Sequence, residues 1–139
     1  MTLYVLDSDH LSLHQRGHEP LRKRLLTKPP EQIAITVISA EELFRGRLAQ
    51  IRKASGHESR VKAYSWLSKT IDYLCGFIIL RFDEEADAHF HDFRNKKIKI
   101  GTQDLRIAAI ARSHNATLVT RNHRDFEQVP SLRIEDWSL

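Results

Sequence analysis

Short apolar runs alternate with longer segments of helical spacing along this chain, and no other feature restricts its fold as much. The runs lie at residues 3–6, 33–37, 77–80, 117–120 and 132–136. Runs of this kind are typical of buried strands, and a helix between two strands brings the chain back so that the strands lie parallel. The alternation predicts the α/β class: a mostly parallel sheet covered by helices on both faces, with the last strand at an edge.

Helices are predicted between the runs from apolar spacing and from residues that start or stop helices. They extend over 9–16, from Pro20 to the break at residues 28–32, from Ser39 to near Gly56, over 58–75, over 83–97 and over 104–115. Ser39 and Glu42 have the spacing of a capping box, and Asp83 is expected to cap the fifth helix. Leu26 is expected to face the core, and the third and fourth helices are expected to form a hairpin.

Length and composition are those of an ordinary intracellular protein. At 139 residues the chain is expected to be a single domain, 1–139, large enough to fold without a covalent staple. Cys75 is the only cysteine, so no internal disulfide is expected and the chain suits a reducing cytoplasm. Cys75 itself is expected to be a small buried residue of the core. No signal peptide or membrane-length apolar run is visible, so no membrane association is expected. The net charge of +4 slightly favours a polyanionic partner.

Four acidic residues stand where a parallel sheet would bring them to one edge. Asp7 follows the first strand, Glu42 lies in the helix after the second, Asp104 opens a helix of small residues, and Asp125 follows the fourth strand. Open parallel sheets place their sites at the carboxyl ends of strands. Each acid alone has an ordinary explanation, as a turn residue, a capping partner or a complement to a helix dipole. Their coincidence at strand ends favours a shared site.

Acids that converge in this way need a cation. Two carboxylates about 4 Å apart repel each other by several kcal/mol near a protein surface, so they would take up protons or separate without one. An all-oxygen ligand set suits Mg²⁺ or Mn²⁺ rather than zinc. Such a metal activates water and stabilises charge on a phosphoryl group, which favours hydrolysis of phosphodiesters.

Basic residues lie close to the acids in the sequence. They are Arg45, Arg47, Lys96, Lys97, Lys99, Arg121 and Arg124. A basic rim around an acidic metal centre is what a nuclease needs to hold a phosphate backbone, although each residue could equally be a solvated charge. Histidines at residues 10, 14 and 18 share one helical face. They are expected to pack or to face solvent, because no further ligand completes a metal set nearby.

Three blocks of the chain resemble the PIN-domain ribonucleases, and in particular the VapC toxins of bacterial toxin–antitoxin pairs. The blocks are LDSDHLSLHQRG, ITVISAEELFRGRL and IGTQDLRIAAIARSHNATLVTRNHRDFEQVPSLRIEDW, and the resemblance runs from residue 3 to residue 137. It implies an α/β/α sandwich with strand order 3-2-1-4-5. It also implies endonucleolytic cleavage of RNA with Mg²⁺ or Mn²⁺, inhibition by a VapB-type antitoxin, and a homodimer. The RNA would be a single-stranded region of tRNA or rRNA.

The resemblance also implies roles for particular residues. Asp7, Glu42 and Asp104 match the acids that would hold the metal, directly or through water. Many relatives carry an Asp where this chain has Asn122, and here the nearest acid is Asp125. Either Asp125 takes over that catalytic role or a second metal site is weak. Ser8 and Asp9 are expected to support the metal ligands, and Arg45, Arg47, Arg121 and Arg124 are expected to contact RNA.

Three other functions remain open at this stage. A PIN-type nuclease of RNA maturation, without a toxin role, would share the same acids. A receiver domain also places acids and Mg²⁺ at strand ends. It needs a paired acid at the first strand, an acceptor Asp at the third and a Lys near the fifth, whereas here the third strand runs into RFDEE and the fifth into EDW. An RNA-binding module without catalysis would need aromatic residues interleaved with basic ones, and few are. Trp66, beside Tyr64, could face a partner subunit or the core.

Overall fold

The structure, a computed structural model, describes residues 2–139 as helices packed around one five-stranded sheet. The strands are β1 Tyr4–Leu6, β2 Ile33–Thr36, β3 Ile78–Leu80, β4 Thr117–Val119 and β5 Arg133–Glu135. The helices are α1 Ser8–Gln15, α2 Glu19–Leu26, α3 Val37–Lys53, α4 His57–Leu74, α5 Glu84–Asn95, α6 Thr102–Ser113 and α7 His123–Phe126. The alternation of strands and helices expected from the sequence is confirmed.

All strands of the sheet are parallel, in the order β3-β2-β1-β4-β5, as expected. In the central strand β1, Val5 pairs with Ala34 of β2 on one side and with Leu118 of β4 on the other. The chain first adds β2 and β3 on one side of β1 and only later adds β4 and β5 on the opposite side. This reversal opens a crevice at the carboxyl end of β1, where open parallel sheets bind their ligands.

Helices cover both faces of the sheet because successive strand residues point in opposite directions. Val5 packs in a core that includes Phe90 of α5 and Ile110 of α6. The next residue, Leu6, packs in a second core that includes Leu11 of α1 and Leu21 of α2. The sheet is therefore the middle layer of an α/β/α sandwich.

Helix α6 lies against the sheet through small side chains. Ala108, Ala109 and Ala111 are fully buried, and so is Ile110 between them. Side chains of this size allow the helix backbone to approach the sheet closely while the core stays filled. The approach fixes the first turn of α6, which carries Asp104, at the edge of the crevice.

The start of α3 differs from the sequence prediction. Thr36 ends β2 and caps the helix by accepting a hydrogen bond from the Ser39 backbone N–H at 3.2 Å, so α3 begins at Val37. The predicted capping box of Ser39 and Glu42 is therefore wrong. Ser39 lies inside the first turn, and its hydroxyl contacts that of Ser8 instead of the helix backbone. Glu42 is consequently free to point into the crevice.

Two further expectations about burial are wrong. Cys75 is exposed rather than a core residue, because it lies at the end of α4 where the chain turns toward β3. Leu26, in the last turn of α2, is 77% exposed, since the buried face of that short helix is the one that carries Leu21. In contrast, Asp83 caps α5 as predicted, accepting a hydrogen bond from the Ala86 N–H at 3.0 Å.

Helix α6 begins two residues before its predicted start, and the short helix α7 was not predicted. Several other expectations about the helices agree with the structure. Helices α3 and α4 pack against each other as a hairpin. Gly17 follows α1 with a φ of 74°, a left-handed conformation that glycine adopts without strain and that ends the helix. From residue 2 to residue 139, each helix is too short or too polar to cross a membrane.

Candidate metal-binding active site

Four carboxylates meet at the carboxyl end of β1, and together they form what we call the acidic pocket: Asp7, Glu42, Asp104 and Asp125. The clearest sign of their proximity is the pKa of Asp104, which rises to about 6. Burial is the largest cause, followed by the negative charges of Asp7, Glu42 and Asp125. The structure thus brings together the four acids that the sequence placed at strand ends.

Asp7 explains why a buried strand ends on a carboxylate. Its side chain caps α1 by accepting a hydrogen bond from the His10 backbone N–H at 2.8 Å, through Oδ1. Its own N–H donates to the Val119 carbonyl at 3.0 Å, which continues the pairing of β1 with β4. The side chain is buried, and its second oxygen, Oδ2, remains available to a ligand. The same residue therefore ends the strand, starts the helix and enters the acidic pocket.

A pair of serines orients Glu42. The Ser8 hydroxyl of α1 donates a hydrogen bond to Glu42 Oε1 at 2.8 Å, and it also lies 2.8 Å from the hydroxyl of Ser39. Because Ser8 has a single hydroxyl proton, which goes to Glu42, Ser39 donates to Ser8. Ser39 is fully buried, so this short chain of hydrogen bonds joins α1 to α3 beneath the pocket.

Asn122 and Asp125 act as a unit at the start of α7. The Asn122 side-chain oxygen accepts a hydrogen bond from the Asp125 N–H at 3.3 Å, and its amide nitrogen donates to Asp125 Oδ2 at 2.9 Å. The amide therefore orients the carboxylate. Asp125 supplies the negative charge that Asp104 experiences from this loop.

Asp9 and Arg121 form a two-point ion pair, with distances of 2.7 and 2.9 Å. The hydrogen bond from Arg121 is the main reason that the pKa of Asp9 is lowered. The pair links α1 to the segment between β4 and α7. Arg45 is likewise paired with Glu41, at 2.6 Å, so two of the four arginines expected to contact RNA are held by carboxylates.

His10 contacts Asp7, although its sequence pattern predicted only a packed or solvated helical face. Its ring is fully buried, with Nδ1 3.3 Å from Asp7 Oδ1, and Nε2 accepts a hydrogen bond from the Trp137 N–H at 3.3 Å. The only sequence signal was its spacing of three residues from Asp7. His14 and His18 contact Tyr73 and the Ser138 carbonyl, in agreement with the expected packed face.

Two groups of side chains offer ligands for a metal ion, one compact and one, the acidic pocket, more widely spaced. Atoms of Asp7, Asp9 and His10 lie within 4.8 Å of one another. In that group, however, Asp9 is bound by Arg121 and His10 is buried against Trp137. The acidic pocket fits a cation better, because within residues 2–139 no lysine or arginine forms an ion pair with any of its four carboxylates. Its all-oxygen ligands suit a hard divalent ion.

A parallel sheet of order 3-2-1-4-5, with acids from separate segments at the end of its central strand, defines a class of nuclease-like domains. The model of the PIN domain family matches residues 4–132, nearly the whole chain. The chain belongs to the PIN domain family. Within it, the resemblance to VapC-type members is confirmed by the relatives described next.

Two curated relatives and one solved structure illustrate the similarity. Ribonuclease VapC2 of Haemophilus influenzae is 40% identical over 70 residues, which are 48% of this chain and 53% of that protein. The tRNA(fMet)-specific endonuclease VapC of Salmonella typhimurium is 39% identical over 70 residues, 45% of this chain and 53% of that protein. The matches span about half the length of these relatives. A chain of the DNA-bound VapBC crystal structure from Salmonella typhimurium superposes with a TM-score of 0.77 at 25% identity, covering 99% of each chain.

Proposed function

We propose that this chain is a divalent-metal-dependent endoribonuclease and the toxin of a VapBC-type toxin–antitoxin pair. The observation that carries the proposal is the acidic pocket, in which burial and three neighbouring carboxylates raise the pKa of Asp104. Strongly perturbed carboxylates cluster at functional sites, and a bound cation would relieve the repulsion among these four. The VapC names of the relatives support the choice of RNA as substrate.

Asp7 and Asp104 would hold Mg²⁺ or Mn²⁺ most directly, and Glu42 would complete the set directly or through water. When bound, the ion would lower the pKa of a coordinated water and stabilise charge on the phosphoryl oxygens. The carboxylates are already aimed by protein groups, Asp7 by the His10 N–H and Glu42 by Ser8. Such preorganisation is what a metal-assisted hydrolysis requires of its protein.

Glu42 and Asp125 are suited to position the attacking water. Ser8 holds one oxygen of Glu42, which leaves the other free to accept a proton from water. The Asn122 amide holds one oxygen of Asp125 in the same way. In this proposal Asp125 is the fourth acid, Asn122 orients it, and no covalent intermediate with the enzyme forms.

Basic side chains would hold the RNA backbone around the pocket. Arg47 and Arg124 form no ion pair among residues 2–139, whereas Arg45 and Arg121 would have to exchange a carboxylate for a phosphate. Both exchanges are feasible, because these pairs are solvent-exposed and such pairs contribute about 1 kcal/mol or less. A single-stranded loop of tRNA or rRNA is the expected substrate, since its unstacked bases can be splayed out and bound by the protein.

The proposed partners are a VapB-type antitoxin and a second copy of the chain, and the proposed location is the cytoplasm. The solved relative from Salmonella typhimurium is a VapBC complex, which supports the antitoxin. A PIN-type nuclease of RNA maturation is the second candidate. A small antitoxin gene beside this one would favour the toxin. If expression of the chain alone leaves growth unaffected, the RNA-maturation nuclease is favoured instead.

The experiment that tests the activity compares wild type with Asp7→Asn and Asp104→Asn in RNA cleavage with Mg²⁺, Mn²⁺ or EDTA. Asp92→Asn on α5 is the matched control, because its side chain is an exposed carboxylate paired with Lys96. Both pocket variants should lose cleavage, and the control should retain it. Sequencing of RNA ends after brief expression identifies the cut. Full cleavage by Asp7→Asn or Asp104→Asn, or in EDTA, would overturn the proposal.

A further inference from the structure

A cleft of about 440 Å³ lies between α1, α3 and α4. It is lined by Arg47 of α3, by Trp66, Lys69 and Tyr73 of α4, and by His14 of α1, among others. No acidic residue among those described, 2–139, lines it. Its volume falls in the range of small-molecule sites, and its positive charge would attract an anion.

The cleft offers both a flat ring and free cationic donors. Trp66 is 38% exposed, with the Arg47 guanidinium 5.8 Å and the Lys62 ammonium 5.2 Å from its ring centroid. Arg47 donates through Nε to Thr70 at 2.9 Å and through Nη1 to Gln50 at 3.0 Å. Three of its five N–H donors therefore remain for a ligand, and the two bonds already made hold the guanidinium in place.

The opposite wall of the cleft is rigid and uncharged at neutral pH. His14 and Tyr73 are hydrogen-bonded through Nδ1 and the hydroxyl, and their rings stack with centroids 5.7 Å apart. Burial lowers the pKa of His14 and raises that of Tyr73, so both side chains are neutral. The charge of the cleft therefore comes from Arg47 and Lys69, with Lys62 at its rim.

Two helices carry residues of both the cleft and the acidic pocket. Helix α1 carries Ser8 at the pocket and His14 at the cleft, and α3 carries Glu42 at the pocket and Arg47 at the cleft. At 1.5 Å per helical residue, the separation along each axis is about 8–9 Å. Residues five or six positions apart face different sides of a helix, so a strand whose scissile phosphate lies in the pocket would enter the cleft by passing around these helices.

We propose that this cleft binds one nucleotide of single-stranded RNA beside the cleavage site, with its base stacked on Trp66 and its phosphate bound by Arg47 and Lys69. The choice of RNA as ligand rests on the proposed ribonuclease activity. An aromatic face flanked by cations is the arrangement by which proteins bind unpaired nucleotides without reading their sequence. Lys62 is exposed and flexible, so a base can replace it on the ring.

Binding without cleavage tests the cleft independently of the activity. Fluorescently labelled octauridylate and octaadenylate are titrated in EDTA, and anisotropy gives the affinity. Trp66→Ala should weaken binding roughly ten- to a hundred-fold, and Trp66→Phe should restore most of it. Tyr64→Ala is the matched control, because Tyr64 is an aromatic residue of the same helix, 55% exposed, outside the cleft.

A second readout uses the intrinsic fluorescence of the chain. Trp137 is 0% exposed, so quenching by a bound oligonucleotide reports on Trp66. Lys69→Ala should reduce the slope of log affinity against log salt by about one phosphate contact, whereas Arg60→Ala, elsewhere on α4, should not.

The outcomes separate this proposal from the activity itself. Undetectable binding by the wild type, or equal affinity of wild type and Trp66→Ala for both oligonucleotides, overturns it. It is also overturned if Trp66→Ala keeps its RNA affinity but no longer co-purifies with the product of the neighbouring gene, since the cleft is then a protein-docking site. If RNA binding depends on Trp66 but the wild type cleaves RNA with no divalent ion, the nucleotide site in the cleft is supported and the proposed ribonuclease function is wrong.

Discussion

The Ser8 hydroxyl donates a hydrogen bond to Glu42 at 2.8 Å, although the two residues are 34 positions apart. This bond fixes the Glu42 carboxylate before any ligand arrives. In Ser8→Ala, Glu42 loses that orientation while the fold keeps its packing. We expect RNA cleavage to fall about tenfold, as is common when a partner of a metal ligand is removed.

The measurement for Ser8→Ala is the rate of cleavage at saturating Mg²⁺, beside the thermal unfolding curve. Ser65→Ala, an exposed serine of α4, is the control and should change neither. Cleavage at the wild-type rate by Ser8→Ala would show that the bond does not orient Glu42 for the reaction.

The affinity for Mg²⁺ is expected to fall as the pH drops through about 6, because Asp104 then takes up a proton that competes with the metal. Below that pH the loss should approach about tenfold per pH unit. Calorimetric titration of Mg²⁺ at a series of pH values measures it. Asp125→Asn removes one of the charges that raise the pKa of Asp104. In this variant the pH at which the Mg²⁺ affinity begins to fall should therefore be lower. An affinity that stays flat across this range would contradict the assignment of Asp104.

As the pH drops, the affinity for Mg²⁺ should fall, whereas the free energy of unfolding of the metal-free protein should rise. Because the pKa of Asp104 is raised on folding, the folded chain binds the proton more tightly, and the free energy of unfolding falls as the pH rises from about 4 to 6. Asp104→Asn removes this penalty. Since the side chain is half-exposed, we expect a gain on the order of 1 kcal/mol at pH 8 in EDTA, a rise in Tm of about 3 °C.

Calorimetric or spectroscopic melting of Asp104→Asn and wild type, with and without Mg²⁺, checks this expectation. Mg²⁺ should raise the Tm of wild type and have little effect on the variant. A variant that is less stable than wild type in EDTA at pH 8 would show that Asp104 has a structural role.

The acids could be placed from the sequence because each follows or precedes a recognisable strand, and the ends of parallel strands share one edge. The role of Ser39 could not be predicted, because Ser39 and Glu42 have the spacing of a capping box although Thr36 is the residue that caps the helix. Thr36 and Ser39 are equally good capping residues by local sequence. The contact of Ser39 with Ser8, which lies on another helix, cannot be read from that local sequence.

Contacts between segments far apart in the chain also could not be predicted from the sequence. His10 and Trp137 are 127 positions apart, and nothing in either neighbourhood predicts that the backbone N–H of one would meet the ring of the other. The basic surroundings of Trp66 were missed for a related reason, because Arg47 comes from α3 and joins Lys62 and Lys69 only when the hairpin forms.

Asn122→Asp tests whether the amide is needed beside Asp125. The new carboxylate can still cap α7, but it would replace a donor that lies 2.9 Å from Asp125 Oδ2 and add charge to the pocket. In EDTA the variant should lose about 1–2 kcal/mol of stability, and Mg²⁺ should restore more stability to it than to wild type. Melting curves over a Mg²⁺ titration measure both effects. A variant as stable as wild type in EDTA would mean that Asn122 is not required to orient Asp125.

Trp137→Phe and Trp137→Ala probe the segment after β5. The indole is fully buried against Tyr4 and donates to Glu135 at 3.0 Å. Truncation to Ala should cost about 3–5 kcal/mol, and Phe should cost less because it fills most of the space. Denaturant unfolding gives both values. Trp66→Ala, which removes a half-exposed indole, is the comparison and should cost far less.

The central position of β1 also affects when the protein can become active during synthesis. Asp7 is translated more than a hundred residues before β4, its neighbour in the sheet, and before Trp137, which contacts His10. A nascent chain therefore carries its first acid without the surroundings that aim it. The segments as far as Trp137 therefore have to be translated before the proposed cleavage of RNA could begin.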